Sequence, residues 1–143
     1  MRNGVDYIGN AAVTLCHDGK GKYLLGLRSD KCRDEHFTWD PIGSGGIEFG
    51  DSIIETIHKE VKEECNADVI AIEFMGIREV FREHNGKPTH WIQFDHKVHI
   101  DPTDVCITEP EKCLELGWFE IDEFPEPMHS QFPLFLAKYR HLL

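Results

Sequence analysis

The chain has 143 residues, 41% of them hydrophobic and 29% charged, which sets a single globular domain over residues 1–143 with enough apolar side chains for a real core. Its formal net charge of −11 excludes a nucleic-acid polymer as the main partner, because phosphate backbones select basic surfaces. No apolar run reaches the ~20 residues of a membrane span, and the first residues lack a basic-then-apolar leader, so no membrane partner and a cytoplasmic location are expected. A small phosphate ester is not excluded, since a bound cation reverses the local sign of an acidic site. The five cysteines are odd in number and form no CxxC pair; they are expected to be isolated, mostly buried thiols.

Taken in chain order, Ile8 to Cys16 reads as a strand, HDGKGK as a turn and Tyr23 to Arg28 as a second strand, a hairpin arrangement. His36 to Ile42 predicts a short strand feeding the glycine-rich GSGG. Asp51 or Ser52 is placed to cap a helix running to about Cys65, with Glu55 completing a capping box from Ser52 and Asn66 as a left-handed terminator. Val69 to Arg82 is rich in β-branched and aromatic residues, HNGKP turns the chain, and Thr89 to Ile100 returns as a strand. A polar loop over Asp101 to Lys112, a strand over Leu116 to Ile121 and a closing helix over Phe132 to Leu143 complete the chain. The sum is a mixed sheet with helices packed on it: α+β, an α/β/α sandwich. Trp39 and Trp118 are expected in the core or sheet. His90, His96 and His99 are assigned to solvent or core roles rather than to a metal, with His90 and His96 on one strand face and His99 on the other.

The central helix carries the chemistry. With Ile53 at zero and 3.6 residues per turn, Ile57, Val61 and Ile54 fall at roughly 40°, 80° and 100° and define a buried stripe. Glu64 falls inside that stripe at roughly 20°, and Glu60 on its edge at about 340°. The spacing of Glu60, Glu63 and Glu64 places the three carboxylates near one another. The outward arc already has His58, Lys62, Glu55 and Lys59 as its solvated face. An inward carboxylate is costly unless a positive group meets it, and a divalent cation is the simplest one.

Gly45, five residues, Asp51, seven residues, then Lys59-Glu60-Val61-Lys62-Glu63-Glu64-Cys65-Asn66-Ala67 resembles the signature of the Nudix hydrolases, Gly-x5-Glu-x7-Arg-Glu-hydrophobic-x-Glu-Glu-x-Gly-hydrophobic. Gly45, Glu60, Val61, Glu63, Glu64 and Ala67 fit it. Asp51 stands for Glu and is one methylene shorter. Lys59 stands for an Arg that in the family orients a catalytic carboxylate through a planar fork, so the orientation of Glu60 is expected to be weakened. Asn66 stands for Gly, and GSGG replaces the usual Pro-Gly-Gly approach.

The resemblance implies a Nudix fold and cleavage of a diphosphate linked to another group, with Mg²⁺ or Mn²⁺ as cofactor. Hard cations suit a carboxylate cluster. It implies Glu60 and Glu64 as main metal ligands, Glu63 next, the Gly45 carbonyl as a backbone ligand, and Lys59 among the catalytic group. The general base stays open among Glu60, Glu64, Glu109 and Glu111. Outside the signature, THWIQFDHKVHI and EPEKCLELGWFEIDEFP resemble the small MutT-type nucleoside triphosphate pyrophosphohydrolases, whose next segment helps hold the base. Here that segment offers His129, Gln131 and Phe132, which can bond or stack on a base. Gly46 in the glycine loop and Arg28, whose guanidinium suits phosphate, complete the substrate-binding candidates.

The expected activity is Mg²⁺-dependent hydrolysis of a nucleoside triphosphate to monophosphate and pyrophosphate. The alternatives are a nucleotide sugar, ADP-ribose or dinucleotide polyphosphate as substrate, or a non-catalytic nucleotide-binding module supported by Lys59, Asp51 and the altered glycine loop. The partner is thus a small nucleotide containing a diphosphate, with homodimerisation left open.

Overall fold

A computed structural model describes all residues, Met1–Leu143. Seven strands and two helices follow one another as β1 (Gly9–His17), β2 (Tyr23–Arg28), β3 (Trp39–Pro41), β4 (Gly45–Gly46), α1 (Ile53–Cys65), β5 (Val69–His84), β6 (Lys87–Ile100), β7 (Cys113–Phe119) and α2 (Phe132–Tyr139). The sheet runs β3-β2-β1-β6-β5, with β4 beside β1 and β7 beside β2. β1 and β6 are parallel over the whole of Gly9–His17, whereas β5 and β6 form a long antiparallel hairpin. Asn85 and Gly86 close that hairpin with φ of 52° and 76°, the left-handed pair that a tight two-residue turn demands.

Alternation along the strands assigns each side of the sheet to one helix. Ala12, Cys16, Leu24, Val98 and Ile100 pack on Ile57, Val61 and Cys65 of α1. Leu15, Tyr23, Leu25 and Trp39 pack on Phe132, Phe135 and Tyr139 of α2. The architecture is the expected α+β sandwich. β1 meets β2 only at His17 opposite Tyr23; beyond that pair the two strands splay and leave a cleft between them, with β4 lying against Ala11 and Ala12.

Several boundaries differ from the sequence expectation. The third strand shrinks to Trp39–Pro41 because Glu35 and Phe37 take φ of 50° and 58°, which no strand accommodates. β7 begins at Cys113 and ends at Phe119, not at Ile121, since its first residue already pairs with Arg28 of β2. The last helix stops at Tyr139 and tightens into a 3₁₀ turn over Arg140–Leu142. Ser52 is the cap of α1, its hydroxyl accepting from Glu55 N at 3.0 Å, and Asn66 ends the helix at φ 58°. Ile54 leaves the expected stripe: it is 50% exposed in the first turn, although Val61 and Cys65 in the same angular sector are fully buried further along the axis. Thr56 takes an inward place instead. Trp39 is core, and Trp118 packs on the α1-side cluster. All five thiols are free; only Cys16 and Cys65 are buried, and Cys106 is exposed. No helix is long and apolar enough to cross a membrane.

Candidate active site

The inward arc of α1 and the glycine loop meet beneath the cleft. Gly45 lies so close to α1 that an added Cβ would stand 2.4 Å from Glu60 Cδ, so a side chain there would push the Glu60 carboxyl group away from the loop backbone. Glu64 accepts a hydrogen bond from the Gly43 amide, which fixes one oxygen and leaves the other available. Burial raises the Glu64 carboxyl to about 8, against the Gly43 hydrogen bond, with Glu60, Glu109 and Asp40 adding to the rise. Glu60 is raised by burial and then by Glu63. Two half-buried carboxylates that repel each other and meet no protein cation are the donor set a hard divalent ion satisfies, so Glu60, Glu64 and the Gly45 backbone fit such an ion.

Glu63 is placed differently. It is exposed on the outer side of the helix, and no group of three acidic, histidine or cysteine side chains converges closely enough to hold an ion. The three glutamates therefore do not form one cluster; Glu63 acts on Glu60 as a neighbouring charge. Lys59 does not reach for Glu60 either. Its ammonium lies 3.3 Å from Glu48 and 3.9 Å from Asp51, tying the glycine loop to the helix, and it touches Glu60 only through its field. Of the two loop acids, Glu109 lines a small cavity together with Glu64, Asp40 and Arg28, whereas Glu111 is exposed away from it and serves through its carbonyl, which accepts from Ser29 Oγ.

Above the loop the cleft opens into a cavity of about 310 Å³. All five residues nominated for substrate, Arg28, Gly46, His129, Gln131 and Phe132, line it. Phe132 is 2% exposed and is as much core as lining. The cavity also holds Arg33, Arg78, Arg82, Trp91 and Gln93, none of which sequence reasoning singled out. Asp40 was missed as well: it lines both cavities, and burial raises its carboxyl to about 7 although part of its surface still meets solvent. Strand alternation at Trp39 puts Asp40 on the opposite face, but only the splay of the sheet turns that face into a cleft.

His129 is held neutral. Its Nδ1 accepts from the Gln131 amide at 3.1 Å, and burial, aided by Arg28 and Arg82 against the pull of Glu35, lowers it to about 4. The unfolded chain protonates this group near 6.5, so between pH 6.5 and 4 the unfolded state takes up a proton that the folded state refuses. Stability is therefore unaffected by His129 above pH 7 and is lost as pH falls through that window, by on the order of 2–3 kcal/mol. Urea unfolding of His129→Gln should show a shallower loss between pH 6.5 and 4 than the parent chain; parallel slopes would exclude His129 as the cause.

A family model described as the NUDIX domain matches residues 8–139. The chain belongs to the Nudix family. Solved structures share the fold across nearly the whole chain. A MutT Nudix hydrolase from Burkholderia pseudomallei superposes with a TM-score of 0.79 at 19% identity, covering 93% of this chain and 98% of that one. A mutator MutT protein from Bacillus halodurans gives 0.72 at 24%, covering 94% and 83%. An Ap4A hydrolase from C. elegans, in a binary complex, gives 0.66 at 20%, covering 94% and 97%. At these identities the likeness is one of fold. Nudix hydrolases act on small nucleotide substrates and generally use divalent metals.

Proposed function

We propose that this Nudix protein is a Mg²⁺- or Mn²⁺-dependent pyrophosphohydrolase that cleaves a nucleoside triphosphate to its monophosphate and pyrophosphate. The observation that carries this reading is the placement of Glu60 against Gly45 and of Glu64 on the Gly43 amide, in the same glycine loop whose Gly45 and Gly46 line the cavity edged by Arg28, His129, Gln131 and Phe132. Glu60, Glu64 and the Gly45 carbonyl would hold the ion. When bound, the ion supplies charge neutralisation at the phosphate oxygens and acidifies a water for attack. Glu109, beside Glu64, is the loop acid best placed to take the proton of that water. Arg28 offers a planar fork to phosphate oxygens. Neutral His129, the Gln131 side chain and Phe132 form a lining that suits a base.

A dinucleoside polyphosphate is the second reading, favoured by the cavity itself. Four of the six arginines of a chain carrying −11 line it, and none of the nine lysines does. A panel of nucleoside triphosphates, nucleotide sugars, ADP-ribose and dinucleoside polyphosphates, with Mg²⁺ and with EDTA, separates the readings. Pyrophosphate release from a triphosphate, abolished by EDTA, is the expected result. Release of sugar phosphate, or of a nucleoside triphosphate from a dinucleotide, would move the assignment, and binding without turnover would leave a nucleotide-binding module.

A further inference from the structure

The segment joining β2 to β3 carries Asp34 and Glu35, and both carboxylates are spent on the arginines of the cavity. Arg28, on β2, reaches the Asp34 carbonyl at 3.0 Å and its Oδ1 at 3.3 Å. Arg82, on β5, reaches the other oxygen, Oδ2, at 3.4 Å and Glu35 Oε2 at 3.2 Å. β2 and β5 stand on opposite walls of the splayed cleft, so one carboxylate holds a guanidinium from each wall. Glu35 extends the tie to the start of α2, accepting from Ser130 N at 2.7 Å with its Oε1 3.9 Å from His129 Nδ1. It does so at a left-handed backbone position, φ 50°, which a non-glycine residue adopts only when its surroundings hold it there.

We propose that residues 29–38 form an anionic strap whose Asp34 and Glu35 carboxylates occupy the Arg28–Arg82 subsite in place of substrate phosphates, and that seating a polyphosphate requires the strap to give up these arginines. The inference rests on the Nudix pyrophosphohydrolase reading above and extends it: Arg28 and Arg82 form a phosphate subsite beyond the metal-binding helix, and the strap sets its selectivity. The exchange is balanced in kind, since each guanidinium trades one oxyanion for another and is never left bare in the cleft. A substrate with a single phosphate offers one oxyanion group against two carboxylates and cannot displace both. A chain of three or more phosphates can, so the device discriminates by phosphate count.

Inorganic tripolyphosphate, titrated by calorimetry in EDTA, probes this subsite independently of metal and of turnover. Asp34→Asn with Glu35→Gln should tighten its binding about tenfold at low salt, the worth of one charge-assisted pair. Adding Arg82→Gln to that variant should cancel the gain, and orthophosphate, which the intact strap keeps out, should gain at least as much as tripolyphosphate once the two carboxylates are removed. Glu35→Gln alone, which keeps an acceptor for the Ser130 amide, should give a smaller gain of the same sign and serves if the double variant does not fold. Unchanged or weakened tripolyphosphate binding in both variants, or a gain that survives Arg82→Gln, would overturn the strap. In the substrate panel the same variants should lower KM for triphosphates more than they alter kcat. A chain that turns over nothing but shows the tripolyphosphate gain would refute the enzymatic reading and leave the strap standing.

Discussion

Glu64→Gln is expected to lower kcat/KM by on the order of 10³-fold while leaving the melting temperature of the metal-free protein unchanged or higher. The amide is nearly isosteric and still accepts from the Gly43 N–H, so the loop stays anchored to α1. What it removes is the negative charge, and with it a metal ligand supplying ~4 kcal/mol of charge stabilisation at tenfold per 1.36 kcal/mol. The direction of the stability change follows from the carboxyl being raised to about 8 by burial. A carboxyl raised above its unfolded value weakens the fold as pH rises between about 4.5 and 8, and glutamine has no such dependence. Glu63→Gln, at an exposed site outside the carboxylate pair, should cost tenfold or less, as expected of a residue acting through its neighbours. Pyrophosphate release at saturating Mg²⁺, paired with thermal melts, reads both quantities. Full activity in Glu64→Gln would remove the metal site from the reaction, and equal losses in Glu63→Gln and Glu64→Gln would restore the three-carboxylate cluster that spacing alone suggests.

The contrast between Glu63 and Glu64 shows where a sequence is informative. The angular placement of Glu64 and Glu60 on α1, the Ser52 cap and the Asn66 terminator are local properties, written within a few residues of one another, and they reappear in the fold. The Asn85-Gly86 turn is legible for the same reason: left-handed backbone there has a residue signature. Glu35 adopts an equally left-handed angle with no such signature, because its side chain is held by Arg82 and Ser130, far away in sequence. The diversion of Lys59 to Glu48 and Asp51 is likewise invisible to a pattern that reads only the helix. The arginine lining depends on β1 and β2 separating after a single pair, a property of the whole sheet. Arg28 could be nominated from its chemistry, but Arg78 and Arg82 lay in a strand whose inner face had no assigned partner.

Asp95→Ala should destabilise the molecule by about 3–5 kcal/mol. Asp95 is fully buried on β6 and receives Arg78 Nε at 2.6 Å, Arg78 Nη2 at 3.0 Å and the Tyr139 hydroxyl at 2.7 Å. Removing its carboxylate strands a guanidinium that is only 11% exposed and leaves a phenol without its acceptor. For a chain of this length the melting temperature should fall by roughly 8–15 °C. Asp95→Asn should cost less, because an amide oxygen at the Oδ2 position still accepts two of the three bonds. Asp95→Leu combined with Arg78→Met should recover part of the loss, since paired apolar replacements remove the uncompensated charge. The consequence reaches the cleft. Tyr139 and Phe135 belong to α2, Arg78 lies 5.3 Å from the Phe135 ring centroid and donates to Gln93 at 2.9 Å, and an added Cβ at Gly76, opposite Asp95, would stand 2.9 Å from the Tyr139 hydroxyl. Asp95 therefore fastens α2 to the sheet at the point where α2 forms one wall of the cavity. A variant that keeps its melting temperature would show that the apolar packing of Phe132, Phe135 and Tyr139 alone holds that wall. A drop in stability accompanied by a rise in KM would show that the buried carboxylate sets the shape of the substrate cavity from behind.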